Sequence, residues 1–416
     1  MAEIKIDHLR KHILNCISEK LARIYNEADA KIIHDGILSL VDDTPQHSTA
    51  ELNISEQDVI LICYGDHLQD GKNPPLQVLH AFLRETVHSV INSLHILPFF
   101  PYSSDDGFSV IDYTAVDSAL GDWHHIDEMK HDFRLMFDAV FNHISAKSDW
   151  FQKFLADEAP FTDYFVKVPP DTDLSAVVRP RALPLLTPVE TPSGTKHVWT
   201  TFSADQIDLN YANPHLMLDM IRILLFYVEH GAEFIRLDAI AFLWKVPGTS
   251  SIHLDETHWV IQVMRDVLDL VAPHVVLITE TNVPHEENIS YFGDGTNEAQ
   301  MVYQFPLPPL ILHTLTSGDS THLTRWAQSL DPIGERTTFF NFTASHDGIG
   351  MRPATGILSD DEVDALVNLA TEHGGNVSYK ANSDGSQSPY ELNITYFDAI
   401  THPEITAKNP QHGFEG

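Results

Sequence analysis

Apolar positions along the chain change period once. Over residues 1–55 they recur at helical spacing: Leu9, Ile13, Leu14 and Ile17, then Leu21 and Ile24, then Ile33, Ile37 and Leu40. That spacing puts the side chains on one face of a helix. It predicts a helical N-terminal extension with no chemistry of its own visible. From residue 59 the rhythm becomes short apolar runs alternating with helical stretches. Val59-Ile60-Leu61-Ile62-Cys63 is a continuous apolar run of strand length, the kind buried on both faces in a parallel sheet. A helix through Leu76, Leu79, Phe82, Leu83 and Val87 follows, then strands over 93–97 and 134–138. Residues 145–205 break the alternation and hold Pro160, Pro169, Pro170, Pro180, Pro184, Pro188 and Pro192. A proline-rich excursion of that length reads as a small inserted domain or lid. Alternation resumes with a helix over 217–228, a strand over 233–239, a helix over 260–270 and strands over 275–278, 301–305 and 339–342.

Buried strands alternating with helices mean α/β: an open doubly wound sheet or a (β/α)8 (TIM) barrel. No Gly-x-Gly-x-x-Gly follows the first strand and no Walker A sequence occurs. Polar, reactive residues instead close strands three, four, five and seven, and such groups gather at the C-terminal face of a barrel. The expected architecture is a (β/α)8 barrel with a small domain inserted after strand 3. Its predicted parts are the extension (1–55), the first part of a catalytic barrel (56–144), an inserted lid (145–205), the second part of the barrel (206–401) and a polar tail (402–416).

Composition narrows the partners. The 416 residues carry a net charge of −34, which argues against nucleic acid or an anionic membrane, since both need a basic surface. No 18-residue apolar stretch and no leader pattern is visible. Two cysteines, Cys16 and Cys63, suggest a reducing compartment, and the expected location is the cytoplasm.

The chemistry centres on Glu233-Phe234-Ile235-Arg236-Leu237-Asp238-Ala239. Residues two apart on a strand share a face, so Arg236 and Asp238 leave it side by side. A neighbouring guanidinium lowers a carboxylate's pKa and keeps it ionised, as a nucleophile requires. Alone, this pattern is more simply a structural ion pair. Its company changes that: Asp138-x-x-x-Asn142-His143, Thr279-Glu280 and His346-Asp347 also close strand-like segments. Two carboxylates facing a glycosidic bond suffice for retaining chemistry. Asp238 is the natural nucleophile. Glu280 follows apolar residues, and desolvation suits a general acid. Asp347 is placed to stabilise positive charge.

These four segments resemble the signature regions of the α-amylase superfamily, glycoside hydrolase family 13. Leu97-Pro98-Phe99-Phe100, the run from Asp105-Asp106-Gly107-Phe108 to Asp112-Tyr113, Arg179-Pro180-Arg181, Gln206-Ile207-Asp208-Leu209, Leu307-Pro308-Pro309-Leu310 and His346-Asp347-Gly348-Ile349-Gly350 resemble its sucrose phosphorylase subfamily. Within that subfamily the N-terminal extension and Thr279-Glu280-Thr281-Asn282-Val283-Pro284-His285 look most like the glucosylglycerate phosphorylases. The resemblance implies that Asp238 forms a glucosyl-enzyme, that Glu280 is acid/base and that Asp347 stabilises the transition state. It implies a donor sugar held by Asp105, His143, Arg236 and His346, with Phe108 against its apolar face and Gln206 facing the cavity. Arg181 would receive phosphate or acceptor, since a guanidinium binds phosphate bidentately, and Tyr390 and Glu391 lie on the matching acceptor-side loop.

The implied reaction is retaining phosphorolysis: an α-glucoside plus phosphate gives α-glucose 1-phosphate and an acceptor, glycerate foremost. Sucrose or sucrose 6'-phosphate phosphorolysis, simple hydrolysis and sugar binding without turnover are the competing readings. No cofactor is expected. Some α-amylases use the Asn142 position for calcium, but no metal is expected here. The partners are an α-glucoside and phosphate, with no nucleic acid and no membrane; a homodimer is left open. The family continues with an eighth strand, its helix and a small β domain, so this sequence reads as stopping before them.

Overall fold

The computed structural model describes residues 2–45, 54–181, 183–331, 333–381 and 386–401; the tail expected over 402–416 lies outside the described residues. The chain forms two compact units, Met1–Thr281 with Ile289–Met301, and Asn282–Asn288 with Val302–Gly416. Among the described residues no helix is long and apolar enough to cross a membrane.

The first unit opens with helices α1 (Ala2–Ile24) and α2 (Glu27–Asp43). It continues through β1 (Ile60–Cys63), α3 (Pro75–Thr86), β2 (Ser93–Ile96), α4 (Trp123–Met129), β3 (Arg134–Ala139), β4 (His143–Ser145), α5 (Asp149–Leu155), β5 (Leu186–Thr191), β6 (Gly194–Trp199), β7 (Gln206–Asp208), α6 (Pro214–Glu229), β8 (Ala232–Leu237), α7 (Asp255–Val271) and β9 (Val276–Thr279). Strands β1, β2, β3, β8 and β9 pair in that order, all parallel. Helical connections keep parallel neighbours covered, so β2 and β9 are buried throughout. The apolar run of β1 predicts burial on both faces, but in β1 only Cys63 is buried. Among the described residues β1 pairs on one side only, with β2.

The proline-rich stretch contains α5 and the antiparallel hairpin β5–β6, and directly after it β7 pairs antiparallel with β4. The prolines hide this from a reading of periodicity, because the hairpin needs only six residues per strand and carries Pro188 inside β5.

Helices α1 and α2 are built into this unit. Ile17, Leu21, Ile33 and Ile37 are fully buried, each stabilising by about 1.5–3 kcal/mol. Asn26 separates the two helices, its side-chain oxygen accepting from Ala28 N and Asp29 N at 3.0 and 3.1 Å, which satisfies donors that a helix start leaves unpaired. Gly36 sits inside α2 although glycine is a poor helix former. A Cβ there would lie 2.6 Å from the two Cδ atoms of Leu218 of α6, so a larger residue would force that side chain to move.

Lys20 of α1 reaches α7, with Nζ 2.6 Å from Asp266 Oδ2. Burial pushes the Asp266 carboxyl up to about 6 despite Lys20 pulling it down. Its folded pKa thus lies above its unfolded value. The stability it contributes is fully present below about pH 4 and is lost as pH rises through about 6. Asp266→Asn should therefore melt higher than the parent at pH 7 and converge with it near pH 4. Melting curves across that range check this; a difference that does not depend on pH would refute it.

The rest of the chain comprises α8 (His285–Ile289), β10 (Met301–Tyr303), α9 (Leu307–Ser317), α10 (Thr321–Ser329), β11 (Thr338–Phe340), β12 (Ile349–Gly350), α11 (Asp360–Glu372), β13 (Asn376–Ala381), β14 (Gln387–Asn393) and α12 (Tyr396–Ile400). Strands β12, β14 and β13 form an antiparallel sheet in that order, which the periodicity does not predict. Its core includes Leu310, Ile349, Met351, Leu366 and Leu392. Ser359 and Glu362 close the start of α11 as a reciprocal capping box.

Candidate active site

Strand register brings the first candidates together. Asp138 on β3 pairs with Arg236 on β8, and Leu237 pairs with Thr279 on β9. One residue further along, Asp238 and Glu280 leave neighbouring strand ends. Arg236 is 2% exposed. Its Nη1 donates to Asp138 Oδ1 at 2.6 Å and to Asp238 Oδ1 at 2.8 Å, and its Nη2 lies 3.8 Å from Glu280 Oε2. One guanidinium thus serves three carboxylates. Asp138 is held in turn by His95, whose Nε2 lies 2.7 Å from Oδ2. The sequence shows only Asp238 as the partner of Arg236. The parts played by Asp138 and His95 are not legible there, because residues on different strands meet only through register.

Burial changes the electrostatics expected for Asp238. Burial pushes its pKa up and Asp138 adds to the rise; Arg236 does pull it down, and so does His143, but the net direction is upward. The cation therefore limits the cost of burying the charge and does not overturn it. Glu280 Oε2 also accepts from Ala239 N at 3.4 Å, and Ala239 is left-handed at φ 48 and ψ 29. A non-glycine residue there is strained, and functional turns are where such strain is found.

His143 begins β4. Its Nε2–H donates to Phe108 O at 2.8 Å, and its Nδ1 accepts from Asn142 Nδ2 at 3.2 Å. Burial holds its pKa below the ordinary value, with Asp208 and Asp238 opposing, and the Phe108 carbonyl calls for the proton on Nε2. Asn142 Oδ1 accepts from Lys245 Nζ at 2.7 Å, and the same ammonium lies 2.7 Å from Asp208 Oδ2. Lys245 thus occupies the position between Asn142 and Asp208 where a cation would be held, and those oxygens do not fit a calcium ion there.

Phe108 is 8% exposed, with Arg236 Cζ 5.6 Å from its ring centroid. Gln206 is buried, its amide donating to Asp105 Oδ2 at 2.8 Å and Phe108 O at 3.2 Å. Asp105, Asp106 and Gly107 are all left-handed, at φ 56, 47 and 106. What holds this strained turn is Asp205, which carries no signal in the sequence. Its Oδ2 accepts from Ser103 and Ser104 at 2.5 Å each and from Ser109 at 2.9 Å, tying both sides of the turn to β7. Arg181 is half-exposed, with Nη2 3.4 Å from both Asp105 oxygens.

The second unit carries the remaining candidates. His346 Nε2 lies 3.6 Å from Asp347 Oδ2, and the Asp347 side chain is 56% exposed. Gly348 lets this turn press on β14, where a Cβ would come 2.5 Å from Glu391 Cγ. Burial raises the Glu391 pKa and the charge of Asp347 adds to it, while Tyr390 O accepts from Met351 N at 2.9 Å. Asp347, Tyr390 and Glu391 are thereby neighbours within this unit.

Residues 89–348 match the alpha-amylase catalytic domain. The chain is 57% identical over 349 residues to a glucosylglycerate phosphorylase of Allomeiothermus silvanus, and 51% identical over 350 residues to one of Escherichia coli; each match covers 84% of this chain. The chain spans 63% of the length of both relatives. The solved structure of sucrose 6F-phosphate phosphorylase from Thermoanaerobacter thermosaccharolyticum aligns with TM-score 0.73 and 24% identity, over 85% of this chain and 73% of that one. That likeness concerns the fold, and it agrees with the barrel expected from the strand–helix alternation. The chain belongs to the alpha-amylase family.

Proposed function

We propose that this chain carries the donor-side machinery of a retaining α-glucoside phosphorylase, with glucosylglycerate as donor and glycerate released. The observation that supports this most is Arg236, one buried guanidinium shared by carboxylates at adjacent strand ends. A nucleophile and an acid/base placed together on one rigid sheet are the minimum that retaining glycosyl transfer needs. In the proposed reaction an Asp238 oxygen attacks the anomeric carbon. The glycosidic oxygen takes a proton from Glu280 and leaves as a hydroxyl. A phosphate oxygen then attacks the same carbon, Asp238 departs as carboxylate, and the phosphate proton passes to Glu280. The product is α-glucose 1-phosphate. Asp105, Phe108, His143, Gln206 and Arg236 are proposed around the donor sugar; for His346 and Asp347 the roles of sugar contact and stabiliser of positive charge are proposed from their motif alone.

Arg181 is proposed to receive phosphate. Its pairing with Asp105 is long and half-exposed, and surface pairs of this kind contribute little, so an incoming dianion competes for the guanidinium at small cost. Tyr390 and Glu391 are proposed on the acceptor side. The free thiols Cys16 and Cys63 support a reducing compartment, hence the cytoplasm.

Incubation with α-glucose 1-phosphate and glycerate, fructose, fructose 6-phosphate or glycerol tests this reading. Phosphate release with glycerate above the others is expected. Release of free glucose whatever the acceptor would make the protein a hydrolase. In the forward direction Arg181→Ala should raise KM for phosphate by about tenfold, the loss of one charge-assisted pair, with donor KM little changed. An unchanged phosphate KM would remove Arg181 from the role.

A further inference from the structure

Helices α1 and α2 carry no group of the candidate site, yet one side chain at the end of α1 leads to it. The carbonyls of residues 140–143, the turn that ends in His143, are all occupied. Tyr113 OH donates to Val140 O at 3.0 Å and to His143 O at 2.6 Å. Leu209 N donates to Asn142 O at 3.0 Å. Tyr211 OH donates to Phe141 O at 2.9 Å. A buried turn whose carbonyls all have partners has one conformation open to it, since releasing any of them would bury an unpaired acceptor. Tyr211 is itself held from outside the sheet. Its own carbonyl accepts from Tyr25 OH at 2.6 Å, and Tyr25 follows directly on α1 with its ring edge-on to Trp244 at 6.2 Å. Trp244 precedes Lys245, which fixes the amide of Asn142, the partner of His143 Nδ1. Two routes therefore run from Tyr25 to the same histidine, one through the Tyr211 hydroxyl and one through the backbone of 244–245. Elsewhere on α1, Lys20 pairs with Asp266 and Arg23 Cζ lies 5.8 Å from the Trp259 ring, both on α7; neither contact involves Tyr25, Tyr211 or Trp244.

We propose that the N-terminal helical pair is a positioning element of the active site, acting through Tyr25, whose hydroxyl and ring fix Tyr211 and Trp244 and thereby the turn that presents His143. For its kinetic consequence this rests on the function proposed above; its structural consequence does not. The test uses the full chain and compares Tyr25→Phe, which removes one hydroxyl, with Lys20→Met, which removes a single α1 contact to Asp266 of α7 and leaves the partners of Tyr25 in place. Three readouts are taken: amide hydrogen exchange in peptides spanning 140–143, donor kcat/KM, and melting temperature. Tyr25→Phe is expected to speed exchange over 140–143 about fivefold and to lower donor kcat/KM about fivefold, the weight of one buried hydrogen bond. Lys20→Met is expected to lower the melting temperature at least as much while leaving both other readouts at the parent values. Parent-like exchange over 140–143 in Tyr25→Phe, or a Lys20→Met variant that matches it in exchange, would overturn the proposal by reducing α1 to a stabilising cover. If the parent shows no phosphorolysis, the proposed function fails alone and the exchange comparison still decides this inference.

Discussion

Asp238→Asn is expected to lose turnover by about four orders of magnitude or more and yet to melt no lower than the parent at pH 7. The two halves of this expectation share one cause. An amide cannot attack the anomeric carbon, so the covalent step has no nucleophile. The same carboxylate is costly in the folded protein, because burial raises its pKa more than Arg236 lowers it. A carboxylate whose folded pKa is raised contributes stability at low pH and loses it as pH rises through that pKa. At pH 7 the neutral amide removes the cost. Arg236 keeps Asp138 as its partner at 2.6 Å, so no buried cation is left alone. The stability advantage should shrink as the buffer is acidified, where the parent's Asp238 also becomes neutral. Steady-state rates and paired melting curves at pH 7 and pH 4 measure both halves. Substantial remaining turnover would place the nucleophile elsewhere. A variant that melts well below the parent at pH 7 would mean that the Arg236 pair, and not burial, dominates at this position.

How far the sequence alone reaches is set by the range over which each interaction acts. The strand carrying Arg236 and Asp238 is legible because its information is local: apolar residues of strand length, then two polar side chains on one face. The same holds for α1 and α2, where the spacing of Ile17, Leu21, Ile33 and Ile37 marks the buried face. Asp138 is visible as part of a motif but not as the other half of the Arg236 site, since β3 and β8 are separated in sequence by the whole insert. Asp205 gives no signal at all. Its role lies in three serine hydroxyls about a hundred residues earlier, and a carboxylate in a polar stretch looks like any solvated one. The pKa of Asp238 runs against the sequence-based expectation for a related reason: adjacency to arginine can be read from two letters, but the depth of burial cannot. The β12–β14–β13 sheet escapes because β12 is two residues long. Its neighbour β14 mixes exposed and half-buried positions with a single buried one, so no apolar run or clean alternation separates it from loop.

Glu280→Gln is expected to divide donors by their leaving groups. Glu280 stands at the end of β9 with its carboxylate 18% exposed, near enough to Arg236 Nη2, at 3.8 Å, to be oriented by it. The Ala239 amide donates to the same oxygen at 3.4 Å. A proton from Glu280 is needed in proportion to the basicity of the departing oxygen. With an unactivated α-glucoside, whose alkoxide is a poor leaving group, loss of the acid should slow glucosyl transfer by about 10²–10⁴-fold, the usual weight of general acid catalysis. With α-glucosyl fluoride, which departs without protonation, the first step should stay within about tenfold of the parent by the same reasoning. Asp238→Asn should instead be equally inactive on both donors, because attack at the anomeric carbon is common to them. The contrast between the two variants, measured as the ratio of kcat/KM for fluoride over glucoside, therefore separates acid from nucleophile without a structure of either. Equal losses on the two donors in Glu280→Gln would remove the acid role, and would leave its carboxylate as a third anion gathered around Arg236.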